Sequence, residues 1–154
     1  MYTEQLPKKR MAVGALLRNT AGHVLIVKPA YRRGWLIPGG AVELNESPRR
    51  AYFREVKEEL GLCLPLNGLL CVDYRPAEDQ KSECVHFIFD GGILTDDLTK
   101  QIRLPADELE EHVFLAPDDA LPLLDVHLGR RMAHALVALT TGKTIYLEDG
   151  CIPI

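Results

Sequence analysis

Three glutamates, Glu55, Glu58 and Glu59, are spaced so that a helix would bring them onto one side. At about 100° per residue they fall within a sector of roughly 100°. Carboxylates at this spacing repel one another and reduce the stability of a helix. The cluster is therefore either a solvated charged face or a set of oxygen ligands for a hard divalent cation such as Mg²⁺. The three residues alone leave both interpretations open.

The helix that would carry these glutamates has well-marked ends. Ser47 can cap its first turn, Pro48 is tolerated at the first helical position, and Gly61 suits the left-handed residue that closes a helix. Another side of the helix is apolar and is formed by Tyr52, Phe53, Val56 and Leu60. The sequence therefore predicts an amphipathic helix over residues 48–60 that packs its apolar side on a core.

A glycine-containing segment, Pro38-Gly39-Gly40, precedes the helix. Its backbone can approach a ligand closely because glycine has no Cβ. Hard cations bind backbone carbonyls as well as carboxylates. The segment and the glutamates together predict a magnesium site, with the carbonyl of Gly40 as a further ligand.

Residues 40–62 resemble the sequence signature of the Nudix hydrolases at every specified position. The matching residues are Gly40, Glu46, Arg54, Glu55, Val56, Glu58, Glu59, Gly61 and Leu62. The resemblance implies an α/β fold, an α/β/α sandwich around a mixed β-sheet. It also implies hydrolysis of a nucleoside diphosphate linked to another moiety, such as ADP-ribose, a nucleotide sugar or a (d)NTP, with release of a nucleoside monophosphate.

The resemblance also assigns expected roles within this segment. Glu55, Glu58 and Glu59, with Gly40, would hold Mg²⁺ or Mn²⁺, and either Glu55 or Glu59 would accept the proton of the attacking water. Arg54 and Glu46 would be supporting catalytic residues that orient these carboxylates. A fold of this type that only senses a nucleotide or binds a protein is the alternative. Such a protein would be expected to lack at least one of the four glutamates, and all four are present.

Some families of this fold take a base or a further metal ligand from a loop outside the signature. The candidates here are four carboxylates, with Glu108 as the first choice: Asp107, Glu108, Glu110 and Glu111. A solvated acidic loop is the alternative for each of them.

Substrate contacts are predicted just before the glycine segment. Arg32 and Arg33 could meet a phosphate, and Trp35 or a neighbouring side chain could stack on a base. An ordinary solvated loop is the alternative. The polar segment of residues 75–82 is a second substrate-facing candidate, or simply a hairpin connection. Its Pro76 lies near the position of a proline associated with ADP-ribose enzymes of the resembling family.

Composition limits the remaining possibilities. The chain has 154 residues, of which 47% are hydrophobic, and is expected to form one domain over residues 1–154. A net charge of −4 without a basic run argues against nucleic-acid or membrane partners and for a small-molecule substrate. Four scattered cysteines make zinc improbable and suggest small buried side chains in a reducing, cytoplasmic protein. An edge strand or the last helix could support a homodimer.

The order of apolar segments predicts an α/β class on its own. Strands are expected at residues 11–17, 23–27, 69–74, 84–89, 112–115 and 144–147, with a turn at residues 90–92. A short helical turn at residues 118–124 and a second long helix at residues 125–139 complete the pattern. Residues 1–9 are polar and are expected to form a loose or edge-lying terminus.

Overall fold

The computed structural model describes residues 3–154, so Met1 and Tyr2 of the polar terminus lie outside the described residues. Within that range the strands are β1 (Arg10–Asn19), β2 (Val24–Pro29), β3 (Gly39–Ala41), β4 (Gly68–Arg75), β5 (Cys84–Leu94), β6 (Leu109–Leu115) and β7 (Ile145–Glu148). The helices are α1 (Pro48–Leu60), α2 (Asp96–Lys100), α3 (Pro117–Ala120) and α4 (Val126–Thr141). Short 3₁₀ turns occupy Thr3–Gln5 and Leu121–Leu123.

The strands form one mixed sheet in the order β6-β2-β1-β5-β4-β7. The two central strands, β1 and β5, run parallel, and β4 and β7 are also parallel. The β2–β6 and β4–β5 pairs are antiparallel. Strand β3 pairs with the first half of β1. It uses the same edge of β1 as β2, which pairs with β1 only at Arg18, near the end of that strand. The predicted mixed sheet is confirmed.

Helices cover both faces of this sheet. Along β1, Val13, Ala15 and Leu17 join the core beneath α1, whereas Leu16 joins the core beneath α4. This alternation follows from the two-residue period of a strand, and both faces are apolar because both are buried. The predicted α/β/α sandwich is confirmed. The sheet places α1 beside β1 and β3, where the glycine segment lies.

The ends of α1 are formed as predicted. The Ser47 hydroxyl accepts a hydrogen bond from the Arg50 backbone N–H at 3.1 Å. Gly61 adopts φ 70° and its N–H donates to the Lys57 carbonyl at 2.9 Å. The helix is therefore fixed at both termini, which sets the rotation of its glutamates relative to the sheet.

The predicted turn at residues 90–92 was wrong. Strand β5 continues to Leu94, and its pairing with β1 passes from Leu16–Asp90 to Leu17–Gly92, which leaves Gly91 as the extra residue of a bulge. A Cβ on Gly91 would collide with the Leu17 side chain. Glycines at this point therefore mark a close approach inside a strand and not its end.

All four cysteines are free thiols, of which two are buried and two are exposed. Cys71 and Cys84 are buried as expected, but the prediction is wrong for Cys63 and Cys151, which are exposed. Among the described residues, no helix has the length and apolar character needed to cross a membrane.

Candidate active site

The three glutamates of α1 differ in their exposure. The residue exposure of Glu59 is only 7%, and the side chains of Glu55 and Glu58 are 15% and 54% exposed. The helix therefore presents a carboxylate series that runs from the protein interior to solvent. A merely solvated charged face would not bury Glu59, because burial of an ionised carboxylate is costly.

The two glycines of β3 make this burial possible. The Gly39 N–H donates a hydrogen bond to Glu59 Oε1 at 2.8 Å. Gly39 has φ 153°, and a Cβ there would collide with the carbonyl of Val13. A Cβ on Gly40 would lie 2.5 Å from Glu55 Oε1. The backbone of β3 can therefore touch both carboxylates only because neither residue has a side chain.

Arg54 holds the carboxylates in position. Its Nε and Nη2 donate to the two carboxylate oxygens of Glu46 at 2.7 and 2.9 Å. Its Nη1 donates to Glu55 at 2.8 Å and to Glu58 at 3.2 Å, and Nη2 also reaches the Ala41 carbonyl at 3.0 Å. The guanidinium thus links the loop before α1, strand β3 and two of the three helix glutamates. This is the orienting arrangement expected for Arg54 and Glu46.

The electrostatics of the group are unusual. Burial raises the pKa of Glu59 to about 8, with further contributions from the negative charges of Glu55 and Glu108, against the opposing Gly39 hydrogen bond. Burial also raises the pKa of Glu55, opposed by its hydrogen bond to Arg54. In contrast, the Arg54 hydrogen bond lowers the pKa of Glu46 to about 2. The pKa values of two neighbouring carboxylates are therefore raised by burial, whereas the pKa of a third is lowered by its arginine partner.

Of the four further carboxylate candidates, Asp107 and Glu108 precede β6, but Glu110 and Glu111 lie within this strand, so their predicted position in a loop was wrong. Glu108 is exposed, and its charge acts on Glu59, so it lies near the helix carboxylates. Its backbone is fixed, because its N–H donates to Pro105 and its carbonyl accepts from Ala30. Glu110 instead lies 3.8 Å from Lys28, and Asp107 and Glu111 are exposed. Of the four, Glu108 is the one whose negative charge contributes to the raised pKa of Glu59.

The chemistry of these donors suits a hard divalent cation. Within residues 3–154 no three His, Cys, Asp or Glu side chains already converge as a preformed metal cluster. However, Glu55 and Glu59 repel each other in a partly desolvated setting, and a cation between them would relieve that repulsion. All donors at hand are carboxylate or backbone oxygens, which Mg²⁺ and Mn²⁺ prefer.

A cleft of about 280 Å³ opens beside Gly39 and Gly40 on the α4 face of the sheet. Its walls include apolar side chains of the α4-side core and Arg131 of α4. The polar segment after β4 also lines it, through Arg75, Pro76, Glu78, Lys81 and Ser82. Residues 75–82 thus connect the antiparallel strands β4 and β5 and also line the cleft, and their contact with a substrate stays a prediction.

The structure places the predicted substrate contacts before β3 elsewhere. Arg32 and Arg33 are exposed, and Trp35 is half-buried against the α4-side core, where it forms a β-bridge with Leu124. None of these three residues is among those that line the cleft. Their predicted role as substrate contacts stays a prediction.

Sequence reasoning missed the buried pair of Arg131 and Asp73, which lies at the cleft. It also treated His86, which lines the cleft, as a plain strand residue. Asp73 and Arg131 are separated by 58 positions, so no local pattern joins them. One signal was available: a lone aspartate within the apolar stretch LLCVDY must find a partner if it is buried.

Comparison with known proteins agrees with this geometry. The RNA pyrophosphohydrolase of Hydrogenovibrio crunogenus is 43% identical over 53 residues, which are 34% of this chain and 32% of that protein. The chain thus aligns with only about a third of that curated relative. The MutT protein from Methanosarcina mazei Go1 has a similar fold (TM-score 0.70, 23% identity, 90% of this chain and 99% of that chain). A UDP-X diphosphatase also has a similar fold, with a TM-score of 0.75 and 22% identity, and the match covers 92% of this chain and 68% of that chain.

The two structural likenesses show the fold alone. The family is shown by a model of the NUDIX domain, which matches residues 8–136 and so extends well beyond the segment 40–62. Together with the carboxylate helix and its glycine strand, this match establishes that the chain belongs to the Nudix hydrolase family.

Proposed function

We propose that this protein is a Mg²⁺-dependent pyrophosphohydrolase that cleaves a nucleoside diphosphate linked to another moiety and releases a nucleoside monophosphate. The observation that carries the proposal is the buried carboxylate of Glu59, which accepts a hydrogen bond from the N–H of Gly39, a residue that also lines the cleft. A binding module has no need for two carboxylates with raised pKa at this position.

Glu55, Glu58 and Glu59 would hold the cation, with the Gly40 carbonyl and Glu108 as further ligand candidates. When bound, Mg²⁺ or Mn²⁺ neutralises the diphosphate and lowers the pKa of a water molecule so that it can attack phosphorus. Because the pKa of Glu59 is raised to about 8, a proton would occupy this carboxylate in the absence of the cation, and cation binding would displace it.

Proton transfer is assigned to Glu55 or Glu59. Glu55 uses Oε1 for Arg54, and Glu59 uses Oε1 for Gly39, so each carboxylate keeps Oε2 available. A general base is most effective when its pKa lies near the operating pH, and both groups have a raised pKa. Arg54 and Glu46 orient the carboxylates and do not themselves exchange a proton with the substrate.

The substrate is proposed to lie with its diphosphate at Gly39–Gly40 and one attached group in the cleft. The lining of the cleft by Arg75 and Pro76 supports a small nucleotide ligand. Relatives named RNA pyrophosphohydrolase match only part of the chain, so an RNA 5′ end belongs in the panel of substrates to be tested. The four free thiols support the cytoplasmic location, and the homodimer stays a prediction.

The experiment is product identification by mass spectrometry after incubation with Mg²⁺. The panel contains ADP-ribose, nucleotide sugars, dinucleoside polyphosphates, oxidised dNTPs and a triphosphorylated RNA. Glu58→Gln and Glu59→Gln remove one carboxylate charge each at nearly constant shape. Glu4→Gln is the matched control, because Glu4 is exposed in the short turn at the start of the described chain.

The proposal expects a nucleoside monophosphate from at least one substrate and loss of that product in the two site variants but not in Glu4→Gln. Binding of nucleotides without cleavage by the wild-type protein would instead support the nucleotide-sensing module. Cleavage that survives in both site variants would contradict the assigned carboxylates.

A further inference from the structure

A buried ion pair forms part of the cleft at a distance from the helix carboxylates. Arg131 of α4 and Asp73 of β4 are 4% and 0% exposed, and Arg131 Nε donates to Asp73 Oδ2 at 2.7 Å. The other oxygen, Oδ1, accepts the Gly150 N–H at 2.9 Å. Both oxygens of Asp73 therefore have partners, and the guanidinium is locked in one orientation.

This pairing leaves the outer end of the guanidinium available. Within residues 3–154, neither Nη1 nor Nη2 of Arg131 donates a hydrogen bond to another protein group, and Arg131 lines the cleft. A guanidinium held through Nε presents Nη1 and Nη2 as two parallel donors in a fixed fork. Neither nitrogen is fully buried, so both can reach the solvent of the cleft, where a ligand could accept their hydrogen bonds in place of water.

The surroundings of this fork favour a neutral, planar group. Ile37, Ile88 and Leu128 line the same cleft and belong to the α4-side core. The charge of Arg131 is already balanced by Asp73. An added phosphate would bring an uncompensated negative charge into a partly apolar setting, whereas a nucleobase offers acceptors without charge.

The other cations of the cleft have different partners. Arg10 donates to Ser82, and Arg75 donates to Glu78 at 2.8 Å. Lys81 is exposed. Among these side chains, Arg131 is the only buried one, so it is the one that a base lying deep in the cleft would meet.

Gly39 and Gly40 line the same cleft as Arg131, and the backbone of these glycines contacts Glu59 and Glu55. A diphosphate placed at these glycines directs one attached nucleoside along the apolar wall. The inference therefore rests on the proposed function, and it names the part of the substrate that Arg131 selects.

We propose that the Arg131 guanidinium donates hydrogen bonds to a nucleobase that carries two adjacent acceptors. The protein would therefore prefer guanine or hypoxanthine nucleotides over adenine nucleotides. Guanine presents O6 and N7 side by side, which is the pair that an arginine fork matches. Adenine presents N7 beside an N6 donor, so one donor of the fork would face another donor. Asp73 acts through Arg131 as a positioning residue.

The test uses the intact protein and does not depend on hydrolysis. GMP, AMP and 7-deaza-GMP are titrated into metal-free protein in the presence of a chelator, and dissociation constants are measured by calorimetry. GMP is expected to bind about ten- to a hundredfold more tightly than AMP. The 7-deaza analogue lacks the N7 acceptor and is expected to bind about tenfold more weakly than GMP.

The deaza comparison changes the ligand and leaves the protein folded, so it decides the question even if variants of the buried pair fail to fold. Equal affinity for GMP and AMP, no effect of the deaza change, or binding of none of the three would overturn the proposal. Inorganic phosphate that displaces all nucleotides equally would show an anion site instead and would also overturn it.

Arg131→Lys is the protein-side arm. Lysine keeps the positive charge beside Asp73 but cannot present two parallel donors. The preference of the Arg131→Lys variant for GMP over AMP is expected to fall to about threefold or less, while its dissociation constant for AMP stays the same within error. Arg130→Lys, at the exposed neighbouring position, is the matched control. Loss of the base preference with retained cleavage separates this inference from the proposed hydrolase activity.

Discussion

A single guanidinium, that of Arg54, bonds to three carboxylates at once. Lysine at position 54 would keep the charge but would lose the paired bonds to Glu46, because it has one nitrogen. We expect Arg54→Lys to lower kcat by about 10- to 100-fold and to raise the Mg²⁺ concentration needed for half-maximal rate. Steady-state kinetics at varied Mg²⁺ checks this.

Arg50→Lys is the control for that change, since Arg50 is exposed on the same helix and its side chain forms no hydrogen bond within residues 3–154. Equal rates for wild type, Arg54→Lys and Arg50→Lys would show that the carboxylates keep their positions without the guanidinium.

A glycine in β3 is the second residue on which the site depends. A Cβ on Gly40 would lie 2.5 Å from Glu55 Oε1 and 2.6 Å from its carboxyl carbon, so Gly40→Ala must displace Glu55. We expect a folded protein with at least about tenfold lower kcat. Gly68→Ala is the matched control, because a Cβ at Gly68 of β4 meets no atom within 4 Å. A similar loss of kcat in both variants would point to general damage of the sheet.

At the scale of elements, the cap of α1 fixes where the glutamates point. Ser47→Ala removes the hydroxyl that accepts the Arg50 N–H, and we expect the free energy of unfolding to fall by about 1 kcal/mol. For a domain of this size the melting temperature should fall by about 2–4 °C. Ser47→Asp retains an acceptor and should melt close to wild type. Equal melting of both variants would show that the cap contributes nothing.

The elements that the sequence predicted are those with strong local patterns. Helix α1 carries an apolar stripe between a serine cap and a closing glycine, and α4 carries a similar stripe, so both were predictable. Strand β3 was not, since Gly39 and Gly40 have no strand propensity and pair only because β1 offers its free edge. The bulge at Gly91 likewise depends on how β1 meets β5.

The same distinction holds for the site. The carboxylates of α1 and Arg54 lie within one continuous segment, so their placement on one helix could be predicted from it, and their catalytic roles stay predictions. The cleft is assembled from β1, β5, α4 and the segment after β4, so its lining reflects the topology of the sheet. Arg131 meets Asp73 only after α4 has packed on β4. Sequence proximity instead suggested Arg32 and Arg33, which the fold leaves exposed.

At the scale of the whole molecule, two buried groups give the free energy of unfolding opposite dependences on pH. Burial lowers the pKa of His86 from 6.5 to about 4, with a further contribution from the positive charge of Arg131. Between these values the unfolded chain binds more protons than the folded protein. The contribution of His86 to stability is therefore lost as the pH falls through this window.

Glu59 acts in the other direction. Its pKa is raised from 4.5 to about 8, so the folded protein binds more protons than the unfolded chain between these values. Stability is then lost as the pH rises through this window, and Glu55, whose pKa is also raised, has the same sign. The two windows overlap in mildly acidic solution, where the slopes oppose each other.

Single substitutions should separate the two slopes. In metal-free protein, His86→Gln should flatten the loss of stability below about pH 6.5, and Glu59→Gln should flatten the loss towards about pH 8. At about 1.4 kcal/mol per pKa unit, the upper limit is about 3 kcal/mol for His86 and about 5 kcal/mol for Glu59 across these windows. Urea unfolding followed between about pH 4 and 9 measures both. Saturating Mg²⁺ should reduce the alkaline loss in the wild-type protein, because a bound cation favours the ionised carboxylates. Curves that stay parallel for all three proteins would show that neither group controls the pH dependence of folding.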